Sequence, residues 1–123
     1  MARLIIVEDG RQVLVLAEAI LADAGHETWT AADAAEALAL LRSDATYDAL
    51  VTDIDLGKDK PNGLSLAAEA VQMRKGLKVV YTSGQGPTDG MRELFVSNAV
   101  FVPKPYLPDD LLAAVAKVLG DRA

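Results

Sequence analysis

The chain predicts a doubly wound α/β domain, a sheet of parallel strands with helices on both faces. Three observations carry that prediction. The apolar runs are continuous rather than alternating, segments of helical period lie between them, and acidic residues stand directly after two of the runs. Arg3 to Val7, Ala49 to Thr52, Leu77 to Tyr81 and Ala99 to Val102 form the continuous runs, the pattern of strands covered on both faces. A weaker strand at Glu27 to Thr30 completes a strand-helix alternation repeated five times, which implies a parallel sheet.

The first strand, Arg3 to Val7, leads into a helix whose one face carries Val13, Leu16, Ala17, Ile20, Leu21 and Ala24, with Gly25 as the stop. After the strand at Glu27 to Thr30, Asp33 and Glu36 have capping-box spacing ahead of Ala37, Leu38 and Leu41. The third strand precedes a helix with the stripe Leu64, Ala67, Ala68 and Val71. The fourth strand precedes a shorter helix marked by Met91, Leu94 and Phe95. Beyond the fifth strand, Pro108 suits a first helical position, Asp109 and Asp110 complement the dipole, and Gly120 follows Lys117 at the end.

At 123 residues and 51% hydrophobic the chain accounts for one domain with an ordinary core. Its formal charge of -6 opposes a phosphate backbone or an anionic membrane, so no nucleic acid and no membrane is expected among its partners. The absence of cysteine removes disulfides, thiolate chemistry and sulfur-ligated metals. The run Leu4 to Val7 is too short for a signal peptide or a membrane span, and a cytoplasmic protein is the expectation. Met1 and the closing helix are read as the bounds of a complete chain.

Glu8 and Asp9 follow the first strand, and Asp53 and Asp55 follow the third. In an open α/β sheet the binding crevice lies beyond the C-terminal strand ends where the strand order reverses, and both acidic pairs fall on such ends. Carboxylates ~5 Å apart at an effective dielectric of ~20 repel by roughly 3 kcal/mol per pair, so their clustering needs a compensating charge. Mg²⁺ is the natural candidate and Lys104 the second.

Val7, Glu8 and Asp9, then Thr52 and Asp53, then Thr82, Ser83 and Gly84, then Pro103, Lys104 and Pro105 together resemble the signature of receiver domains of two-component response regulators. The resemblance covers essentially residues 1–123 and implies a flavodoxin-like strand order 2-1-3-4-5. It implies Asp53 as phosphoacceptor, Asp9 as direct Mg²⁺ ligand, Glu8 acting on the ion mainly through water, and the backbone carbonyl of Asp55 as a further ligand. Lys104 is implied to pair with a phosphoryl oxygen or with free Asp53, and the Lys104–Pro105 bond to be cis. Thr82 and the Ser83 N–H are implied to bind phosphoryl oxygens, with Thr82 and Phe101 as the switch pair. The implied donor is a histidine kinase or histidine phosphotransfer protein. The implied output is a change in the face of the fourth helix, fifth strand and fifth helix, read by an unidentified downstream protein or a homodimer partner.

Two departures from the family pattern stand out. The stretch Leu56 to Asn62 runs about two residues longer than usual and is without the proline usually found soon after the acceptor, Pro61 coming only near its end. Asp55 and Gly84 occupy positions where receivers vary and tune phosphoryl lifetime. Blander roles exist for individual residues: Glu8 and Asp9 as helix caps, Thr82 to Gly84 as a turn, Phe101 as a core residue. His26 is read as a surface-loop residue and Trp29 as packing on the second strand, and Gly84 to Gly90 lacks the Gly-Lys-Ser/Thr of a P-loop. Two other functions share part of this pattern. Asp53-Ile54-Asp55 resembles the Asp-x-Asp of haloacid dehalogenase-type phosphatases, but Gly57 stands where Thr or Val is expected and the motif follows the third strand rather than the first. A phosphorylation-independent interaction domain is opposed by the presence of Asp9, Asp53, Thr82 and Lys104 together.

Overall fold

The computed structural model describes residues 2–57 and 62–120. Strands β1 (Arg3–Val7), β2 (Glu27–Ala31), β3 (Ala49–Asp53), β4 (Lys78–Ser83) and β5 (Val100–Pro103) alternate with helices α1 (Arg11–Asp23), α2 (Ala34–Leu41), α3 (Asn62–Met73), α4 (Asp89–Glu93) and α5 (Pro108–Val118). All four strand pairings are parallel, and the order across the sheet is β2-β1-β3-β4-β5. The chain therefore moves outward from β1 to β2 and crosses back to β3. That reversal sets a crevice beyond the carboxyl ends of β1 and β3.

Alternation along the strands divides the interior in two. Ile5, Val7, Leu50, Val79 and Tyr81 face α2, α3 and the segment that follows α4. Leu4, Ile6, Ala49, Val51, Val80 and Val102 face α1 and α5. Both faces of the sheet are thus buried, which is why its strands read as unbroken apolar runs. Among the described residues no helix is long and apolar enough to cross a membrane.

The helix ends follow from local chemistry. Asp33 accepts from the Glu36 N–H at 2.8 Å while the Glu36 carboxylate accepts from the Ala32 N–H at 2.9 Å, so the expected capping box starts α2. Thr88 caps α4 by accepting from Met91 N–H at 3.1 Å. Pro108 occupies the first turn of α5, and the Asp110 carboxylate accepts from the Leu107 N–H at 3.0 Å. Gly25, after α1, takes a φ of 95°, open to glycine at little cost.

Some placements differ from the sequence reading. β3 runs on to Asp53 and β4 to Ser83, because Asp53 and Thr82 are register partners and pairing outlasts the apolar run. Leu77 is buried but precedes β4, its N–H bonded to the Arg74 carbonyl. On α1 the buried residues are Ala17, Ile20 and Leu21, whereas Leu16 is 54% exposed and Ala24 is exposed at the cap. On α3 Ala68 is exposed, and Leu66 and Ala70 join Leu64 and Ala67 in the core. In both helices the apolar composition is wider than the face that the sheet covers. Residues 58–61 of the long loop after Asp53 lie outside the described residues.

One close approach fixes α3 against the site. Gly63 donates its N–H to the Ile54 carbonyl at 2.9 Å, and a Cβ built on it would lie 2.0 Å from the Asp53 carbonyl oxygen and 2.8 Å from Ile54 Cα. Backbone, unlike a flexible side chain, cannot yield to that contact. Gly63→Ala is expected to lose on the order of 1–3 kcal/mol of stability through overpacking. Urea unfolding of the two proteins, with m unchanged, reads that loss.

Candidate functional site

Four segments deliver the site. Glu8 and Asp9 follow β1, Asp53 ends β3, Thr82 and Ser83 end β4, and Lys104 follows β5. Backbone bonds continue between neighbouring segments past the apolar part of the sheet: Glu8 N–H to the Ala31 carbonyl at 3.1 Å, Ile54 N–H to Thr82 at 2.8 Å, and Lys104 N–H to Ser83 at 2.8 Å. The side chains consequently sit on a fixed frame.

Glu8, Asp53, Thr82 and Ser83 are buried, Asp53 to 3% exposure, while Asp9 stands at the open side. One oxygen from each of Glu8, Asp9 and Asp53 lies within 4.8 Å of the others. At an effective dielectric of ~20 each ionised pair at that spacing repels by about 3 kcal/mol. Lys104 answers part of this: its Nζ is 3.0 Å from Glu8 Oε1 and 3.1 Å from Asp53 Oδ2. A single ammonium among three carboxylates leaves room for further positive charge. The donors are all hard oxygens, grouped as a small divalent cation requires, so the residues present fit Mg²⁺.

Each of the three carboxylates also accepts from a backbone N–H. Glu8 Oε2 accepts from the Gly10 N–H at 2.9 Å, Asp53 Oδ1 from the Asp55 N–H at 3.3 Å, and Asp9 Oδ2 from the Gly57 N–H at 3.0 Å. The Ser83 hydroxyl donates to Asp55 Oδ2 at 3.3 Å and accepts from the Gln85 N–H at 3.2 Å. Thr82 stands beside Asp53 as its register partner. Phe101, in register with Tyr81, is half-buried at the outer edge of the sheet rather than in the site. The Lys104–Pro105 bond is cis, as expected.

Burial raises the Asp53 pKa from 3.8 to about 6, the charge of Glu8 adds to the rise, and Lys104 offsets it only in part. For Lys104, burial alone would lower the pKa, but its hydrogen bonds and charge interactions with Glu8 and Asp53 more than reverse this and hold it above the ordinary value. The Tyr106 hydroxyl is pushed up by burial and then by the negative charge of Glu8. Beside Lys104 an open cleft of about 480 Å³ is lined by Val13, Leu16, Gly84, Pro105 and Tyr106, which accounts for the exposure of Leu16.

The structure thus brings together Glu8, Asp9, Asp53, Asp55, Thr82, Ser83 and Lys104, and leaves Phe101 at the surface end of an aromatic row. Glu8 does more than expected, since it pairs directly with Lys104. Sequence reasoning missed Gly63, Tyr81 and the Gly57 N–H. Of these only Tyr81 left a signal, a polar-tipped aromatic in an otherwise aliphatic run beside Thr82. His26, expected in a surface loop, is half-buried and accepts from the Ala2 N–H at 3.2 Å through Nδ1. Trp29 packs edge-on to Tyr47 on the second strand, with the Arg3 guanidinium 4.5 Å from its ring.

A parallel sheet of order β2-β1-β3-β4-β5, with an acidic cluster and a lysine at its switch point, defines a domain of the CheY-like flavodoxin-fold class. Two solved structures are similar at 27% identity. A CheY-like receiver domain protein from Methanospirillum hungatei has a TM-score of 0.86, with 97% of this chain and 94% of that one covered. A response regulator receiver protein from Sinorhizobium medicae has a TM-score of 0.88, with 99% and 97% covered. A curated relative, the transcriptional regulatory protein CpxR of Klebsiella pneumoniae, is 27% identical over 97% of this chain and 50% of its own length. The chain spans about half the length of the curated relatives it matches.

Residues 4–116 match the response regulator receiver domain, and the chain belongs to that family. Receiver domains are phosphoacceptor signalling modules of two-component systems rather than enzymes in general, and they interact with histidine kinases or phosphotransfer proteins. The dehalogenase-type phosphatase reading is set aside by that membership.

A raised carboxylate pKa means the folded state binds the extra proton. Its contribution to stability is full below pH 3.8 and is lost as pH rises through about 6. With a chelator present, Asp53→Asn is therefore expected to be more stable than the parent at pH 7.5 by ~1–2 kcal/mol, after allowance for residual solvent, and to converge with it near pH 4. Thermal unfolding across that range checks both the sign and the convergence.

Proposed function

We propose that this domain takes a phosphoryl group from a phosphohistidine onto Asp53 and signals through the face formed by α4, β5 and α5. The observation that carries the reading is the place of Asp53 inside the acidic cluster at the end of β3, buried, with the Lys104 ammonium, which it shares with Glu8, at 3.1 Å. At neutral pH a group titrating near 6 is mostly ionised and ready as a nucleophile. An Asp53 oxygen attacks phosphorus, the P–N bond to the donor histidine breaks, its electron pair leaves with the imidazole, which takes up a proton, and an acyl phosphate results.

Glu8, Asp9, Asp53 and the Asp55 backbone carbonyl would hold Mg²⁺ at the mouth. With the ion bound, charge on the transferring phosphoryl oxygens is neutralised. Lys104 exchanges its Asp53 oxygen for a phosphoryl oxygen. The Thr82 hydroxyl and Ser83 N–H turn toward the new anion, and Phe101 responds by changing its packing, a population shift in the outer face. The donor is a histidine kinase or a histidine phosphotransfer protein in the cytoplasm, and the output passes to a downstream protein or to a second copy through that face.

Intact-mass measurement after incubation with acetyl phosphate and Mg²⁺ tests the reading. One base-labile phosphoryl group is expected on the parent and none on Asp53→Asn or with chelator. Lys104→Ala is expected to slow its formation by roughly the 10²-fold or more that a lost charge-stabilising donor costs. A phosphoryl group on Asp53→Asn would move the acceptor elsewhere.

A further inference from the structure

Tyr81 is fully buried on β4, one residue before Thr82, and alternation sends their side chains to opposite faces of the sheet. Its hydroxyl accepts the Val96 N–H at 3.1 Å, reaching the turn between α4 and β5. Its ring stacks on Phe95 with centroids 4.3 Å apart, and Phe95 in turn stacks on Phe101 at 6.3 Å. The three rings form one row from the strand to the surface, where the Arg92 guanidinium lies 5.9 Å from the Phe101 ring.

Besides this row, the segment is held by partly buried side chains, Met91, Val96 and Ala99, packed against the same core. α4 is five residues long and contains no buried residue, and Leu94 just beyond it is 61% exposed. Within the turn, Leu94, Phe95 and Ala99 donate to the carbonyls of Met91, Arg92 and Val96, bonds that are local and do not reach the sheet. The Tyr81 phenol reaches from the sheet to the turn with a directional bond and ring contact together.

We infer that Tyr81 is a positioning residue that ties the turn after α4 to the strand end bearing Thr82, so that Phe95 and Phe101 follow the state of the Asp53 site. The inference rests on the phosphoacceptor reading and adds a link to it. Displacement of Thr82 toward a ligand on Asp53 turns the peptide that Tyr81 shares with it. The phenol then carries that movement to Val96 N–H and to the ring row on the opposite face.

The test uses the full chain labelled with 3-fluorotyrosine. Tyr47, Tyr81 and Tyr106 give three resonances, and single Tyr47→Phe and Tyr106→Phe variants assign that of Tyr81 by elimination. Beryllofluoride with Mg²⁺ serves as the probe, and its bound fluorines report the adduct in the same spectrum. The Tyr81 resonance is expected to move on adduct formation while that of Tyr47, packed on Trp29, stays. In Tyr81→Phe, which keeps the ring and loses the hydroxyl, the amide shifts of Val96 and Phe101 on adduct formation are expected to fall below half their parent values, with the Thr82 shift retained. An adduct that leaves the Tyr81 resonance unmoved, or undiminished Val96 and Phe101 shifts in Tyr81→Phe, overturns the tie alone. No adduct on the parent overturns the tie and the phosphoacceptor reading together. The fluorine measurement on the parent decides the matter even where Tyr81→Phe does not fold.

Discussion

The gathering of carboxylates at the carboxyl ends of β1 and β3 is the constraint around which this domain is arranged. Glu8 and Asp53 are buried, and two ionised groups so placed repel unless a cation stands between them. Lys104 supplies that cation from 96 residues away in sequence from Glu8 and 51 from Asp53. The sheet must therefore be complete as far as β5 before the site is electrostatically tolerable. Removal of Lys104, the cation that Glu8 and Asp53 share, leaves uncompensated buried charge, a loss of ~3–5 kcal/mol in comparable cases. On the proposed phosphoacceptor reading, Lys104 leaves Asp53 for a phosphoryl oxygen without being stranded, because Glu8 retains it.

The elements far from the site keep the frame rigid by satisfying their own ends. Arg74 donates to the Leu41 carbonyl at 2.9 and 3.0 Å and to Ser43 at 2.8 Å, closing the C-terminus of α2 with a residue that follows α3. Arg3 reaches the Thr46 carbonyl at 2.6 Å and Glu27 at 3.2 Å while its plane covers Trp29, joining β1, β2 and the loop before β3. The Arg3–Glu27 ion pair is exposed and by itself contributes at most ~1 kcal/mol. Its value is geometric, since β1 carries Glu8 at its other end.

The fold was legible because both faces of the sheet are covered, so each inner strand is an apolar run that only burial explains. The acidic pairs and Lys104 were legible because charges directly after such runs have few structural uses. What sequence could not show were contacts between residues distant in the chain whose types are unremarkable alone. Nothing in the string Asn62-Gly63-Leu64 says that a glycine meets the backbone of Asp53. Leu16 and Ala68 belong to apolar stripes yet are exposed, because a stripe of apolar residues does not reveal how wide a face its neighbours cover. Glu8 was expected to act mainly through water, because the resemblance supplies the ligand's position but not the direct pairing with Lys104.

β4 shows why a strand end suits a site that must also report its state. Thr82 and Ser83 close the acidic pocket, while Tyr81 points to the face shared by α2 and α3. Consecutive residues on a strand share a peptide whose planarity is stiff, so a turn of one is felt by the next. The path between them is short: the chemistry lies at the strand's carboxyl end, and the aromatic row starts one residue before it, at buried Tyr81. Phe101 has no hydroxyl to fix it by a hydrogen bond of its own, and its ring is held by contact with Phe95 on one side and the Arg92 guanidinium at the surface. A ring held by packing alone can resettle when its neighbour moves by a fraction of an ångström, because the close-packed contact beneath it admits few alternative positions. The polar anchor therefore belongs on Tyr81, at the stiff end of the row, and the freedom belongs on Phe101, at the surface.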